Sequence, residues 1–583
     1  MPARRPIAGI GMEQWLTTER AAYGVIAALA LGVRLHGLGS TLLGPAEASQ
    51  ALAALGGAGG SSVDLSGLSP LLHTSQRLIF ALAGPTEMAA RLLPALLGGL
   101  AVLFFWPLRR WTTRGGALAA ALLWAISPLA VFAARSGVGN GLVAPLALAF
   151  IGLAVSSWTA EDDGARSRAH VGLGVAAGML LLSGSGAFTA LAGVVIAALI
   201  LRPAPVLAAG LRSLPRRTWV AVALTWFLIG SFFLSAPAGL AGSVGLLTGW
   251  LRGLLSSTAD VSAWQLGRQL LLSEPLLLGC AIAGVVAAIR YRYRPGYAVA
   301  AGTAVWIVIP LLASGRAPWD MGLATLGLSL LAGPAVTSVL RRLWSVRGVT
   351  DTWLLVGISM ALSLAAAISL AGASSANHSD GWRTMYSSVG LISAVLAVAI
   401  WVLYGFLGNW DLVRRTAAAV PLALGLAWGV GQLVSLNYDS DPWRQTELVN
   451  TRVTPDVVLL QEQVRLSGAL LVGGKDEAAV DLVLPSLATN PLAPVLRWAL
   501  REQSTLRVSE SLNATPSPIV ITELADQPAL SGRYAGSEYL VLDQTSAGKG
   551  GSWRSVLRWI LFRETRVIPN GARVILWVDR SGQ

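Results

Sequence analysis

Charge is scarce in this chain: 13% of its 583 residues are Asp, Glu, Lys or Arg, about half the ~25% of a typical soluble domain. With 54% hydrophobic residues, that scarcity excludes an ordinary soluble protein and implies a polytopic membrane protein. Cysteine is limited to Cys280, inside an apolar run. No intrachain disulfide or paired-cysteine zinc site can therefore form, and a small buried hydrophobe is its plainest reading. Lysine occurs only at 475 and 549. The glycine-rich segment at 547–552 lacks the Ser or Thr that a phosphate-cradling loop needs directly after the lysine. No period of 20 to 50 residues repeats, which argues against a solenoid or an inverted-repeat transporter.

What is present is glycine, 64 residues, which lets membrane helices approach closely, and long apolar runs. The glycine-rich stretch 172–178 lies in one of them and reads as packing. A span needs ~20 apolar residues, and thirteen runs qualify, beginning at 18–37 and ending at 416–436. The net charge of +13 does not indicate nucleic acid, because the arginines cluster in short segments between spans. With residues 1–17 cytoplasmic, twenty arginines fall on the cytoplasmic side and seven in the opposite loops, as the positive-inside rule requires. No cleavage site follows the N-terminus, so the first run is expected to remain as an anchor. The membrane domain covers 18–436. An odd number of spans places 437–583 outside the cell membrane, where helical patterns (454–465, 493–503, 553–564) alternate with β-branched runs and predict a small α/β domain.

The first outer loop, 37–91, is unusually long and half apolar, the pattern of a platform on the bilayer surface. Charged groups at membrane edges are costly and default to functional candidates. On the outer side they are Arg34, Glu47, Asp64, Arg77, Glu87, Arg91, Arg135, Asp260, Glu274, Arg316 and Asp320, with His36 and His73. A carboxylate among guanidinium groups suits an anionic ligand and a group that must lose a proton. The same residues also read as arginines snorkelling to headgroups and acids capping helices.

Several short motifs occur in a telling order: Glu47, Ser69-Pro70-Leu71, Ala89-Ala90-Arg91-Leu92, Ser127-Pro128 and Phe132-Ala133-Ala134-Arg135. This order resembles the GT-C superfamily of membrane glycosyltransferases, of the protein-mannosyltransferase (glycosyltransferase family 39), aminoarabinose-transferase and Rgt-like type. Ser273-Glu274-Pro275, Arg316-Ala317-Pro318-Trp319 and the tail segment APVLRWALRE are similar to a narrower flippase-activity-associated subgroup. The resemblance implies an all-α membrane domain of about 13 helices with an extracytoplasmic α/β domain. It also implies transfer of a sugar from a polyprenyl-phosphate carrier, among membrane lipids, to a glycan, lipid or protein acceptor.

By position it makes Glu47 the general base and sets Arg135, with Arg91 or Arg316, toward the donor phosphate; His73, Glu274, Asn140 and Trp319 are further substrate-binding candidates. A divalent cation (Mg or Mn) would be the family's cofactor, but Ala46 and Asn140 stand where acids are expected and would weaken such a site. Two rivals follow: a catalytically degenerate lipid-carrier binder or flippase partner, and a secondary transporter. The transporter predicts polar groups near the bilayer middle rather than at its rim.

Overall fold

A computed structural model describes residues 17–580 apart from 57–67, 235–237, 256–260, 346–349, 375–379, 439–450, 475, 488, 513–514, 525–529, 531–533 and 545–569. Helices stand at all thirteen apolar runs. Among the described residues, six are long and apolar enough to cross a membrane, or nine if each of three bent pairs is one span. One bent pair, Arg114–Ala125 with Pro128–Ala134, turns by 62°. Pro128 has no N–H to continue the first helix, and Ser127 restarts the second by accepting the Ala130 N–H. Small and aromatic side chains fill the bundle: Ala30, Phe105, Trp124, Leu148, Leu180 and Trp306 share one buried cluster. The glycines at 172–178 pack as expected, with Gly174 directly against the Thr218 carbonyl.

The first loop is mostly helix. The entering helix α1 (Thr18–Leu35) is followed by α2 (Pro45–Leu55), α3 (Pro70–Ala83) and α4 (Glu87–Leu100). Proline opens α2 and α3 at positions where a missing N–H costs nothing. Ser69 and Thr86 cap α3 and α4 by accepting the Leu72 and Ala89 N–H groups. The glycine-rich middle of the loop lies outside the described residues.

The C-terminal region is the expected α/β domain. Its six strands are β1 (Thr451–Val453), β2 (Val480–Val483), β3 (Leu506–Ser509), β4 (Ile519–Glu523), β5 (Tyr534–Gln544) and β6 (Asn570–Asp579). They form one sheet in the order β1-β5-β6-β4-β2-β3. Strand β2 runs parallel to β3 and β4, while the other pairs are antiparallel. Helices Asp456–Val472 and Leu492–Ala499 bury their apolar faces in its core. The expected helix at 553–564 lies outside the described residues. The domain sits on the first loop: Trp498 joins Leu43, Ala48, Ala51, Phe80 and Ala90 in a buried cluster, and its indole N–H donates to Glu87 (3.0 Å).

Candidate functional site

Glu47 occupies the first turn of α2, where its Oε2 accepts the Gly44 N–H (3.0 Å). Arg91, one turn into α4, grips the same carboxylate in a fork, Nε to Oε1 at 2.9 Å and Nη2 to Oε2 at 2.6 Å. The Gly137 N–H, from the turn after the Pro128–Ala134 helix, donates to Oε1 (2.6 Å). Four N–H donors thus fill the four acceptor positions of one carboxylate. Three chain segments are tied at a point only 12% exposed. Burial pushes the Glu47 carboxyl up, but the Arg91 guanidinium and the Gly137 and Gly44 N–H groups outweigh it and hold the group below the usual carboxylate range.

This corrects one sequence expectation. Arg91, the guanidinium that meets Glu47, does not face a donor phosphate: it is 5% exposed, and its remaining N–H groups donate to the carbonyls of Leu38, Thr41 and Leu42.

Arg135 ends the Pro128–Ala134 helix and donates to the carbonyls of Arg34, His36 and Gly37. It satisfies the orphan C-terminal groups of α1 while lying over the Tyr438 ring (4.6 Å). These bonds leave N–H groups of its half-buried guanidinium uncommitted. Glu274, expected at the substrate, is buried at the other end of that helix. Its Oε1 accepts the Ser127 hydroxyl (2.6 Å) and the Leu129 N–H (3.0 Å). An acid at a helix N-terminus is favourable, so Glu274 fixes the helix that carries Arg135.

Asn140, three residues past Gly137, donates from Nδ2 to Asp320 Oδ1 (2.9 Å), and its Oδ1 accepts the Gly186 N–H. Asp320 Oδ2 accepts the Ala317 N–H. An acid does stand beside position 140, supplied by another span. Asn140, Asp320, Trp319, Trp250 and Thr189 line a cavity of about 70 Å³, which is room for little more than water. Arg316 is half-buried beside it; its Nε donates to Ala313, and its terminal nitrogens have no partner among the described residues. Arg135 and Arg316 are therefore two cations with uncommitted N–H groups at this end.

His73 is buried against Phe232, with ring centroids 4.2 Å apart and neither ring nitrogen bonded among the described residues. Burial, with Arg77 nearby, lowers its pKa to about 4. A depressed folded pKa means stability is present above the unfolded value of about 6.5 and is lost as pH falls toward the folded one. His73→Phe should flatten the melting-temperature profile between pH 6.5 and 4; an unchanged slope there would remove His73 as its cause.

The turn itself depends on glycine. A Cβ at Gly139 would lie 2.2 Å from the Ser183 carbonyl and 2.4 Å from Ser69 Cβ. Gly139→Ala should force the turn away from α3 and cost roughly 1–3 kcal/mol, the range for overpacking, read as a lowered melting temperature.

A divalent cation fits this site poorly. Hard cations need several free oxygens, whereas Glu47 is surrounded by N–H donors and both Asp320 oxygens accept hydrogen bonds. No three His, Cys, Asp or Glu side chains cluster as metal ligands among the described residues.

No family model and no curated protein sequence matches the chain. Its structure is similar to the crystal structure of ArnT from Cupriavidus metallidurans bound to undecaprenyl phosphate. The two are 17% identical, with 97% of this chain and 98% of that one covered and a TM-score of 0.55. The apo state of the same ArnT matches at 16% identity, 97% and 99% coverage, and a TM-score of 0.55. The chain thus has the GT-C type of fold along nearly its whole length, C-terminal domain included. The narrower flippase-associated resemblance forms no part of these similarities.

Proposed function

We propose that the chain is a membrane glycosyltransferase that moves a sugar from a polyprenyl-phosphate carrier to an acceptor at the Glu47 end of the bundle, the extracytoplasmic face. The observation that carries this reading is the joining, through Glu47, of the first loop, α4 and the turn at 137, in the fold of a protein crystallised with undecaprenyl phosphate. Around that junction stand two guanidinium groups with uncommitted N–H groups. The bilayer supplies the carrier's tail, and Arg135 and Arg316 hold its phosphate and stabilise it as leaving group. The acceptor oxygen bonds to the sugar's anomeric carbon as the bond to the phosphate oxygen breaks.

Glu47 orients the acceptor hydroxyl, which takes the place of the Gly137 N–H on Oε1. Held low, its carboxylate is a weak base, so the proton passes through it to the departing phosphate. No step uses a metal. A glycan, a lipid and a protein all remain acceptors for this chemistry.

The saturation of Glu47 favours one other reading, a binder of the lipid carrier without transfer. Purified protein given a polyprenyl-phosphate sugar with a radioactive label decides between them. Transfer moves label to a water-soluble or lipid acceptor, and binding alone leaves it on the carrier. Arg135→Gln or Arg316→Gln should raise the KM for the carrier about 10- to 100-fold, the loss of one charge-assisted hydrogen bond. An unchanged KM in both would remove these arginines from the phosphate site.

A further inference from the structure

A large cavity lies away from Glu47. It measures about 1310 Å³, above the roughly 300–1,000 Å³ of ordinary small-ligand pockets. Its walls lie mostly along the far halves of helices that start at the Glu47 end, with Ala154, Ala198, Ala287 and Val339 among them, and reach up to Pro275. Asp320 and Arg342 bracket one such helix, and 22 residues at 1.5 Å each separate them by roughly 30 Å, a bilayer's hydrocarbon thickness. The mouth carries Arg110, Arg290 and Arg342, all exposed. None of the three has a carboxylate within ion-pair distance among the described residues, although the adjacent Arg109 is paired with Glu19 (3.0 Å). Tyr291 and Tyr293 stand at the same rim, where interfacial aromatics belong.

We infer that this cavity is a binding site for one acidic glycerophospholipid of the leaflet opposite the Glu47 end. Its acyl chains lie between the helices and its phosphodiester sits on the three arginines. The chemistry matches at both ends. Apolar walls of this size exclude water as a stable filling, and uncompensated guanidinium groups at a headgroup level select an anion over a zwitterion. A polyprenyl phosphate bound for reaction would have its phosphate in the other leaflet.

Native mass spectrometry of the full chain tests this with phosphatidylglycerol, phosphatidylcholine of the same chains, and undecaprenyl phosphate. The expected result is one retained phosphatidylglycerol per chain and no retained phosphatidylcholine. The triple variant R110Q/R290Q/R342Q should bind phosphatidylglycerol about a hundredfold more weakly. A Cβ at Gly279 meets nothing within 4 Å, so Gly279→Phe enters open space and should block retention without lowering the melting temperature. Equal retention of the two phospholipids, unaltered binding by the triple variant, or displacement of phosphatidylglycerol by undecaprenyl phosphate would each overturn the assignment. The carrier-transfer assay reads the Glu47 end independently, so either proposal can fail alone.

Discussion

Glu47→Gln should abolish sugar transfer and also destabilise the folded protein by about 3–5 kcal/mol, the cost of leaving one member of a buried ion pair without its partner. Glutamine keeps the shape but places an NH2 donor among four other donors, so Arg91 and at least one backbone N–H lose their acceptor. The effect also has a pH signature. Because the folded Glu47 pKa is held below its ordinary 4.5, its contribution is complete above that value and is lost as pH falls through the folded pKa. Wild-type stability should therefore fall below about pH 4.5, a fall that the Gln variant lacks. Equal stability of wild type and variant at pH 7, measured by thermal unfolding, would show that the ion pair does not hold the three segments together.

The second large effect lies far from the charges. Trp498→Ala should remove about 3–5 kcal/mol from the docking of the C-terminal domain, as large-to-small aromatic replacements in cores do. The indole is buried among Ala48 of α2, the helix that carries Glu47, Phe80 of α3 and Ala90 of α4. Arg501 reinforces the contact through the Pro85 carbonyl and stacks on the Trp498 ring. The variant should release the C-terminal domain to limited proteolysis while leaving the membrane helices intact, and lower transfer through the loosened α2. Proteolysis unchanged from wild type would mean that the sheet domain is held by other contacts.

The fold was largely readable because its determinants are local. Long apolar runs mark helices, while the structure adds that Ser69-Pro70 and Ser127-Pro128 each open a capped helix. The alternating tail marked the sheet domain. The site was readable only in part. Glu47 stood out as an isolated acid, but its partner had to be chosen among several arginines, and sequence spacing does not say which one folds back. Arg135 keeps uncommitted N–H groups, but nothing in the sequence shows that a chain turn also brings it under the end of α1, where four carbonyls converge. Asn140 suggested a missing acid because Asp320, 180 residues away, gives no local sign of its pairing. The Trp498–Glu87 contact spans 411 residues and leaves no periodicity to detect. Glu274 stood out as an acid beside an apolar run, and only packing shows that it serves a helix end.

The central claim is that the carrier's phosphate is bound at the Glu47 end. It is tested most directly by solving the structure of the purified chain with undecaprenyl phosphate added. The account predicts phosphate density within hydrogen-bond reach of Arg135 and Arg316, beside the Gly137 turn. Phosphate density confined to the arginine rim at the opposite end of the bundle, with the Glu47 end empty at saturating lipid, would contradict it.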